Sequence, residues 1–170
     1  MTHQLLVLAA SNGENLALAK RFASAGRARG LEAQVLDLTA LELPLYSPRA
    51  QQAGMPEALN GLNQRLAAST HWVICAPEYN GSIPPVLTSA IAWLSVQGSD
   101  FRALFNCRPV VIATHSGSGG ANVLTALRLQ LAYLGAHVVG RQLLSNKNAP
   151  AKDESIDDLI GRLAQLPSPA

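Results

Sequence analysis

The chain has 170 residues, of which 48% are hydrophobic and 14% charged, with a formal net charge of +2 at pH 7. Domains commonly contain about 100 to 200 residues, so we expect a single domain over residues 1–170. No stretch approaches the ~18 consecutive apolar residues of a membrane helix, and the basic residues form no run typical of nucleic-acid binding. The first residues lack the charged and apolar regions of a secretory leader. We therefore expect neither membrane insertion nor nucleic-acid binding, and we expect a cytoplasmic protein.

The low charge content has a further implication. An average domain has ~25% charged residues, so a monomer of this chain has few charges to distribute over its surface. We therefore expect a homo-oligomer, either a homodimer or a homotetramer, since symmetric assemblies are the common form.

Strand-like and helix-like segments alternate along the chain. Short apolar or alternating runs predict five strands, over residues 4–10, 31–38, 72–76, 109–114 and 136–144. Apolar residues at helical spacing predict helices over residues 15–29, 56–69, 86–96, 122–135 and 153–166. Residues 39–55 contain several prolines and predict a long loop. This order predicts an α/β fold with a doubly wound, mostly parallel five-stranded sheet and helices on both faces.

Ligands of open parallel sheets bind outside the carboxyl ends of the strands. The first loop at that edge carries Ser11, Asn12, Gly13 and Asn15 at the amino end of a helix, where an anion such as a phosphate is favoured. Side-chain donors on Ser11 and Asn15 would add to that site. A simple helix cap is an equally good interpretation of these residue types.

The loop after the fourth strand is rich in glycine. It allows close approach of a ligand to the backbone, but Asn122 replaces a glycine of the dinucleotide fingerprint. Ser116 likewise replaces a glycine of the serine-hydrolase elbow around Ser118. His115 precedes this loop and is either a ligand contact or a structural histidine. The histidines and cysteines lack metal-ligand spacing, so we expect no metal site, and Cys75 and Cys107 to be buried free thiols.

The loop after the third strand decides between these possibilities. Its sequence, PEYNGSIPPVLTSAIAW, covers residues 77–93. It resembles the signature PEYN-G-S-I-P-G-x-L-K-N-A-I-D-W of the NADPH-dependent FMN reductase family of flavodoxin-like proteins. The matching positions are Pro77, Glu78, Tyr79, Asn80, Gly81, Ser82, Ile83, Pro84, Leu87, Ala90, Ile91 and Trp93.

This resemblance implies a sheet of order 2-1-3-4-5 with FMN at the point where the strand order reverses, and NAD(P)H as co-substrate. It places the phosphate on the first loop, the isoalloxazine ring beside the PEYN segment, and the glycine-rich loop on the far side. The implied cofactor-binding residues are Ser11, Asn12, Gly13, Asn15 and Leu16; Pro77, Glu78, Tyr79, Asn80, Gly81 and Ser82; and His115, Ser116, Gly117, Ser118 and Gly119.

The chemistry expected of such a site is hydride transfer to and from the flavin ring, which requires no general base. Tyr79 and Asn80 are expected to support the ring, and the backbone N–H groups of Asn80, Gly81 and Ser82 to hydrogen-bond to it. The small acceptor implied is a quinone, a free flavin, an azo compound or a metal oxyanion. A shared stacking position for nicotinamide and acceptor predicts ping-pong kinetics.

The chain departs from the family pattern in its first loop. The family sequence is close to GSxRxxSxN, whereas this loop is shorter, has no arginine, and contains the acidic Glu14. A non-catalytic flavin- or phosphate-binding protein, a carrier or sensor, is therefore the alternative hypothesis. For Glu78 two roles remain open, a position near a subunit contact and a solvated or salt-bridged loop acid.

Overall fold

The structure, a computed structural model, describes residues 4–169. Its strands are β1 (Gln4–Ala9), β2 (Glu32–Asp37), β3 (His71–Cys75), β4 (Pro109–His115), β5 (His137–Val138) and β6 (Leu143–Ser145). Its α-helices are α1 (Glu14–Ala28), α2 (Pro48–Ala53), α3 (Glu57–Ala68), α4 (Pro85–Ser95), α5 (Ala121–Tyr133) and α6 (Asp153–Ala164). No helix within this range is long and apolar enough to cross a membrane.

All strand pairs in the sheet are parallel. The strand order is β2-β1-β3-β4-β5, and β6 also pairs with β4. This confirms the predicted 2-1-3-4-5 order. Every residue of β3 is buried, which explains why this strand is apolar from Trp72 to Cys75 rather than alternating.

The predicted fifth strand is divided in two. Val110 of β4 pairs with Val138, whereas Ala113 pairs with Leu143. An advance of three residues along β4 therefore corresponds to an advance of five residues from β5 to β6. The intervening residues include the exposed Gly140, and they leave the sheet before β6 rejoins it. The prediction of one continuous strand over 136–144 was wrong because periodicity does not report such a local excursion.

The region predicted as a long loop contains local structure. A 3₁₀ turn covers Leu38–Leu41, and α2 follows at Pro48–Ala53. The Ser47 hydroxyl accepts a hydrogen bond from the N–H of Ala50, and Pro48 occupies the first helical position. A serine cap followed by proline is a recognised helix start, so the sequence contained this information.

Helices cover both faces of the sheet, as predicted. Leu18, Phe22, Leu159 and Ile160 of α1 and α6 lie in one buried cluster, and the apolar residues of α3, α4 and α5 lie in the other.

Cys75 lies in the first cluster and is buried as expected, and burial raises the pKa of its thiol. Cys107 is exposed. The expectation of burial was wrong for Cys107 because it lies in a turn before β4, with φ 58°.

Candidate functional site

The loops that follow β1, β3 and β4 meet at one edge of the sheet, because β3 lies between β1 and β4. The backbone N–H of Ala10 donates to the carbonyl of Cys75 at 2.9 Å, and the N–H of Ala76 donates to Ala113 at 3.0 Å. These bonds continue the sheet just beyond the strands. The three loops singled out in the sequence therefore lie side by side.

The first loop presents unpaired donors. Within residues 4–169, the backbone N–H groups of residues 11–15 make no hydrogen bond, although those of Leu16 and Ala17 donate to the carbonyl of Gly13. These groups lie at the amino end of α1, where the helix dipole is positive. Such an arrangement binds a phosphate through the backbone and requires no cationic side chain.

Asn15 has a different role from the one predicted for its side chain. It is only 2% exposed, its Nδ2 donates to the carbonyl of His115 at 2.9 Å, and its Oδ1 accepts from the N–H of His115 at 2.9 Å. The expectation that this side chain donates to a phosphate is not supported, because its amide is held by backbone. Asn15 instead fixes the start of α1 against the end of β4.

The PEYN segment forms a tight hairpin turn. The N–H of Tyr79 donates to the carbonyl of Ser82 at 3.1 Å, and the N–H of Ser82 donates back to Tyr79 at 3.0 Å. Asn80 and Gly81 between them have φ of 50° and 71°. These angles are typical of a type I′ turn, for which Asn-Gly is the preferred sequence.

This turn decides which donors remain for a ligand. The N–H of Ser82 is used within the turn, so the expectation that it binds a flavin ring was wrong. Within the described residues the N–H groups of Asn80 and Gly81 have no partner. Tyr79 is 50% exposed beside them. The turn therefore offers two backbone donors and an aromatic ring.

Glu78 connects the PEYN segment to the glycine-rich loop. Its Oε1 accepts from the hydroxyl of Ser118 at 2.7 Å, and its Oε2 accepts from the N–H groups of Asn122 at 3.0 Å and Val123 at 3.1 Å. The residue preceding α5, Gly120, provides no side-chain cap, so this carboxylate serves as the cap from another loop. The Ser118 hydroxyl and the helix N–H groups lower the pKa of Glu78.

The role of Glu78 thus differs from a solvated or salt-bridged loop acid, because its partners are a hydroxyl and a helix end. The backbone of Glu78 is tied to the same loop, since its N–H donates to Ser116 Oγ at 2.6 Å. Ser116 and Ser118 are therefore engaged with Glu78. We infer that both serines shape the site rather than reach into it.

Two residues at this edge were missed by the sequence analysis, which placed no site residue at Thr114 and stopped at Gly119. Thr114 is fully buried, and its Oγ1 donates to the carbonyl of Ala76 at 2.6 Å and lies 2.9 Å from Ser116 Oγ. Gly120 has φ 77°, and a Cβ there would collide with the Thr114 side chain. Gly120, the last glycine of the GSGG segment, was the sequence signal for this close approach of its backbone to the Thr114 side chain.

The other predicted residues surround this framework. Pro77 is buried, Leu16 is partly buried against the cluster that contains α1, and Gly117 is exposed. The His115 side chain is half-buried at the end of β4 and makes no hydrogen bond within the described residues. In the same part of the chain no group of three or more His, Cys, Asp and Glu side chains is placed to hold a metal.

The donor set fits FMN. The unpaired N–H groups of residues 11–15 suit a dianionic phosphate, and the free N–H groups of Asn80 and Gly81 suit acceptor atoms on a flavin ring. No Lys or Arg lies in residues 11–16, whereas Glu14 is exposed at the first position of α1. A phosphate at this loop would therefore be held by backbone donors and the helix dipole.

Comparison with known proteins agrees with this geometry. The sequence model of the NADPH-dependent FMN reductase family matches residues 4–150. The chain belongs to the NADPH-dependent FMN reductase family. The resemblance of the PEYN segment to this family is thereby confirmed.

A quinone reductase of Escherichia coli K12 is 35% identical over 124 residues, which are 68% of this chain and 64% of that protein. The chain thus spans just under two thirds of the length of this curated relative. A flavoenzyme NAD(P)H:(acceptor) oxidoreductase from Paracoccus denitrificans superposes with a TM-score of 0.76 at 19% identity, covering 97% of this chain and 99% of that one.

A flavodoxin from Pseudomonas aeruginosa superposes with a TM-score of 0.63 at 16% identity, covering 95% of this chain and 99% of that one. At these identities the two superpositions show the fold alone. They confirm the flavodoxin-like fold class for this member of the NADPH-dependent FMN reductase family.

Proposed function

We propose that this chain binds FMN at the carboxyl edge of its sheet and uses it to pass electrons from NAD(P)H to a small acceptor. The observation that carries the proposal is the run of unpaired N–H groups at residues 11–15 beside the free donors of the Asn80-Gly81 turn. Bound FMN would supply the redox chemistry, taking a hydride from nicotinamide and giving up two electrons to the acceptor.

The residues of the chain bind and orient. The N–H groups of residues 11–15 would hold the phosphate, and those of Asn80 and Gly81 would donate to the ring. Tyr79, half-exposed beside this turn, would shield the ring from water. Glu78 and Asn15 act as positioning residues, because each ties two loops together. The proposal assigns proton transfer to no side chain, because hydride transfer requires no general base.

A quinone is the favoured acceptor within the proposed set of quinones, free flavins, azo compounds and metal oxyanions. Its support is the relationship to the E. coli quinone reductase. A quinone is also planar and apolar, so it would stack on the same ring face that nicotinamide leaves. Alternating use of one position predicts ping-pong kinetics.

We further propose a homodimer or homotetramer in the cytoplasm, where NAD(P)H is available. Support for association comes from α5, on which Leu129 is 73% exposed and Tyr133 66% exposed, one turn apart. Light scattering after size-exclusion chromatography measures the assembly directly, and a mass of one chain, 17.9 kDa, would refute it.

The first test is the visible absorption spectrum of the purified chain with added FMN, followed by anaerobic NADH or NADPH. We expect saturable uptake of FMN and bleaching by a reduced nicotinamide. Riboflavin is the matched ligand without phosphate, and it should bind at least tenfold more weakly. Equal binding of both would contradict the role of residues 11–15. Uptake without bleaching would favour the carrier or sensor.

A single charge in the first loop sharpens this test. Glu14→Gln removes the negative charge beside the phosphate position and keeps the size of the side chain. We expect FMN to bind several-fold more tightly to this variant and riboflavin to bind unchanged. Asn60→Ala, at an exposed position on α3, is the control and should alter neither affinity.

A further inference from the structure

Arg108 is a buried cation that no carboxylate of the described residues pairs with. It is 7% exposed and directly precedes β4. Its Nη1 donates to the carbonyl of Ser69, and its Cζ lies 4.8 Å from the centre of the Trp72 ring. No ion pair within residues 4–169 involves it. Buried charges are normally paired, so this guanidinium is incompletely satisfied by the chain itself.

The unsatisfied part of Arg108 is one edge of the guanidinium. Nε is buried without a hydrogen-bond partner, and Nη2 makes no hydrogen bond within the described residues. Burial also lowers the pKa of Arg108, as expected when no anion offsets the loss of water. The Nη1 side, in contrast, is held by the Ser69 carbonyl and fixes the orientation of the group.

Another arginine of this chain shows what that edge binds. In Arg29 the same two atoms, Nε and Nη2, each donate at 2.7 Å to one carboxylate oxygen of Asp157. This is the bidentate geometry in which arginine recognises carboxylates. Arg108 has the same pair of donors, neither of which makes a hydrogen bond within the described residues, and its Nε is buried.

Arg108 lines a surface pocket of about 290 Å³. The pocket combines apolar and amide side chains, which include Leu94, Phe101, Leu104, Asn63 and Gln97. Asp100 also lines it, but its Oδ1 accepts from the N–H of Arg102 at 2.9 Å. A cation set among apolar walls is the pattern of a site for a small organic molecule with one charged end.

The pocket is distant from the proposed flavin site. Arg108 precedes the seven residues of β4, whereas His115 ends that strand at the functional edge. At ~3.3 Å per residue the two ends lie roughly 20 Å apart. A ligand in this pocket therefore does not occupy the flavin position.

We propose that this pocket binds a small organic monocarboxylate, whose carboxylate pairs with the Nε and Nη2 edge of Arg108 and whose apolar body lies against Leu94, Phe101 and Leu104. An inorganic anion would satisfy the charge but leave the apolar walls in water. The proposal does not depend on flavin binding.

Nuclear magnetic resonance of the full chain tests this site directly, through the Nε–Hε signal of Arg108. Benzoate is the probe, benzamide its uncharged counterpart, and the buffer contains no carboxylate or phosphate. We expect benzoate to shift this signal saturably and benzamide to have no saturable effect. Arg108→Gln should weaken benzoate binding at least tenfold, measured on the backbone signals of Gln97 and Leu104.

A second variant protects the test against misfolding of Arg108→Gln. Asp100→Asn removes a negative charge that lines the pocket and repels the benzoate carboxylate. The variant keeps the Oδ1 atom that accepts a hydrogen bond from the N–H of Arg102. It should tighten benzoate binding two- to fivefold. The proposal is overturned if benzamide binds as well as benzoate, if the Arg108 signal does not saturate, or if Asp100→Asn leaves the affinity unchanged. It is also overturned if dilution of the protein alone moves the Arg108 signal, because a second copy then fills the pocket.

Discussion

Replacement of Asn15 by alanine tests how the first loop is held. The side chain is 2% exposed and makes two hydrogen bonds of 2.9 Å to the backbone of His115. Each bond removed leaves a partly buried backbone group without its partner, at a cost of about 1 to 2 kcal/mol. We therefore expect Asn15→Ala to lower the free energy of unfolding by about 2 to 4 kcal/mol. At ~3 °C per kcal/mol for a chain of this size, Tm should fall by roughly 6 to 12 °C.

Urea unfolding followed by the fluorescence of the buried Trp72 and Trp93 measures this loss. The midpoint should fall at an unchanged m-value, because the surface exposed on unfolding stays the same. Asn12→Ala is the matched control for stability, since Asn12 is exposed in the same loop, and it should change the free energy by less than ~0.5 kcal/mol. An Asn15→Ala variant as stable as Asn12→Ala would refute the assignment of Asn15 as the tie between α1 and β4.

Three further changes probe the rest of the edge and the turn before β4. The pKa of Glu78 is lowered from its ordinary 4.5, chiefly by the Ser118 hydroxyl, so its contribution to stability is present above that value and is lost as the pH falls through the lower folded-state pKa. Glu78→Gln should consequently show a lower Tm than the natural chain above about pH 5 and converge with it as acid is added; parallel Tm curves would contradict this. Gly120→Ala places a methyl group against Thr114 at φ 77° and should cost about 2 to 4 kcal/mol in urea unfolding, with partial recovery in the double variant that adds Thr114→Ser. Cys107→Gly relieves φ 58° at an exposed residue and should raise the free energy of unfolding by about 0.5 to 1 kcal/mol; a loss of stability would show that the turn is not strained.

The parallel sheet and the meeting of three loops at one edge were predictable from the sequence for identifiable reasons, and the strand order followed from the family resemblance. Buried parallel strands are short apolar runs, as in residues 72–76, and the loops after them must share one edge. The PEYN segment then identified the NADPH-dependent FMN reductase family among proteins with such a sheet. The turn at Asn80-Gly81 was also readable in principle, because the dipeptide has a strong preference for a type I′ turn.

The partners of the polar side chains were not predictable. Asn15 and His115 are 100 residues apart in sequence, and nothing local to either indicates that they pair. Glu78 and the start of α5 are similarly separated, by 44 residues for Asn122. Residue type indicates what a side chain can bind, whereas only the tertiary structure shows which groups already use its hydrogen-bonding capacity.

The division of the outer strand into β5 and β6 has a consequence for how this chain tolerates insertions and deletions. β6 pairs independently with the end of β4, where the Ser145 hydroxyl donates to the Thr114 carbonyl at 2.8 Å and the Ser145 carbonyl accepts from the N–H of Ser116 at 3.0 Å. We therefore expect a change of length within residues 140–142 to leave these bonds in place, because the register is set anew after them. Such a change would remove the hydrogen bonds from Arg128 to the Gly140 carbonyl and the Gln142 side chain. The outer strand combines a segment that lies outside the sheet, held by Arg128, with a terminus that holds the glycine-rich loop in place.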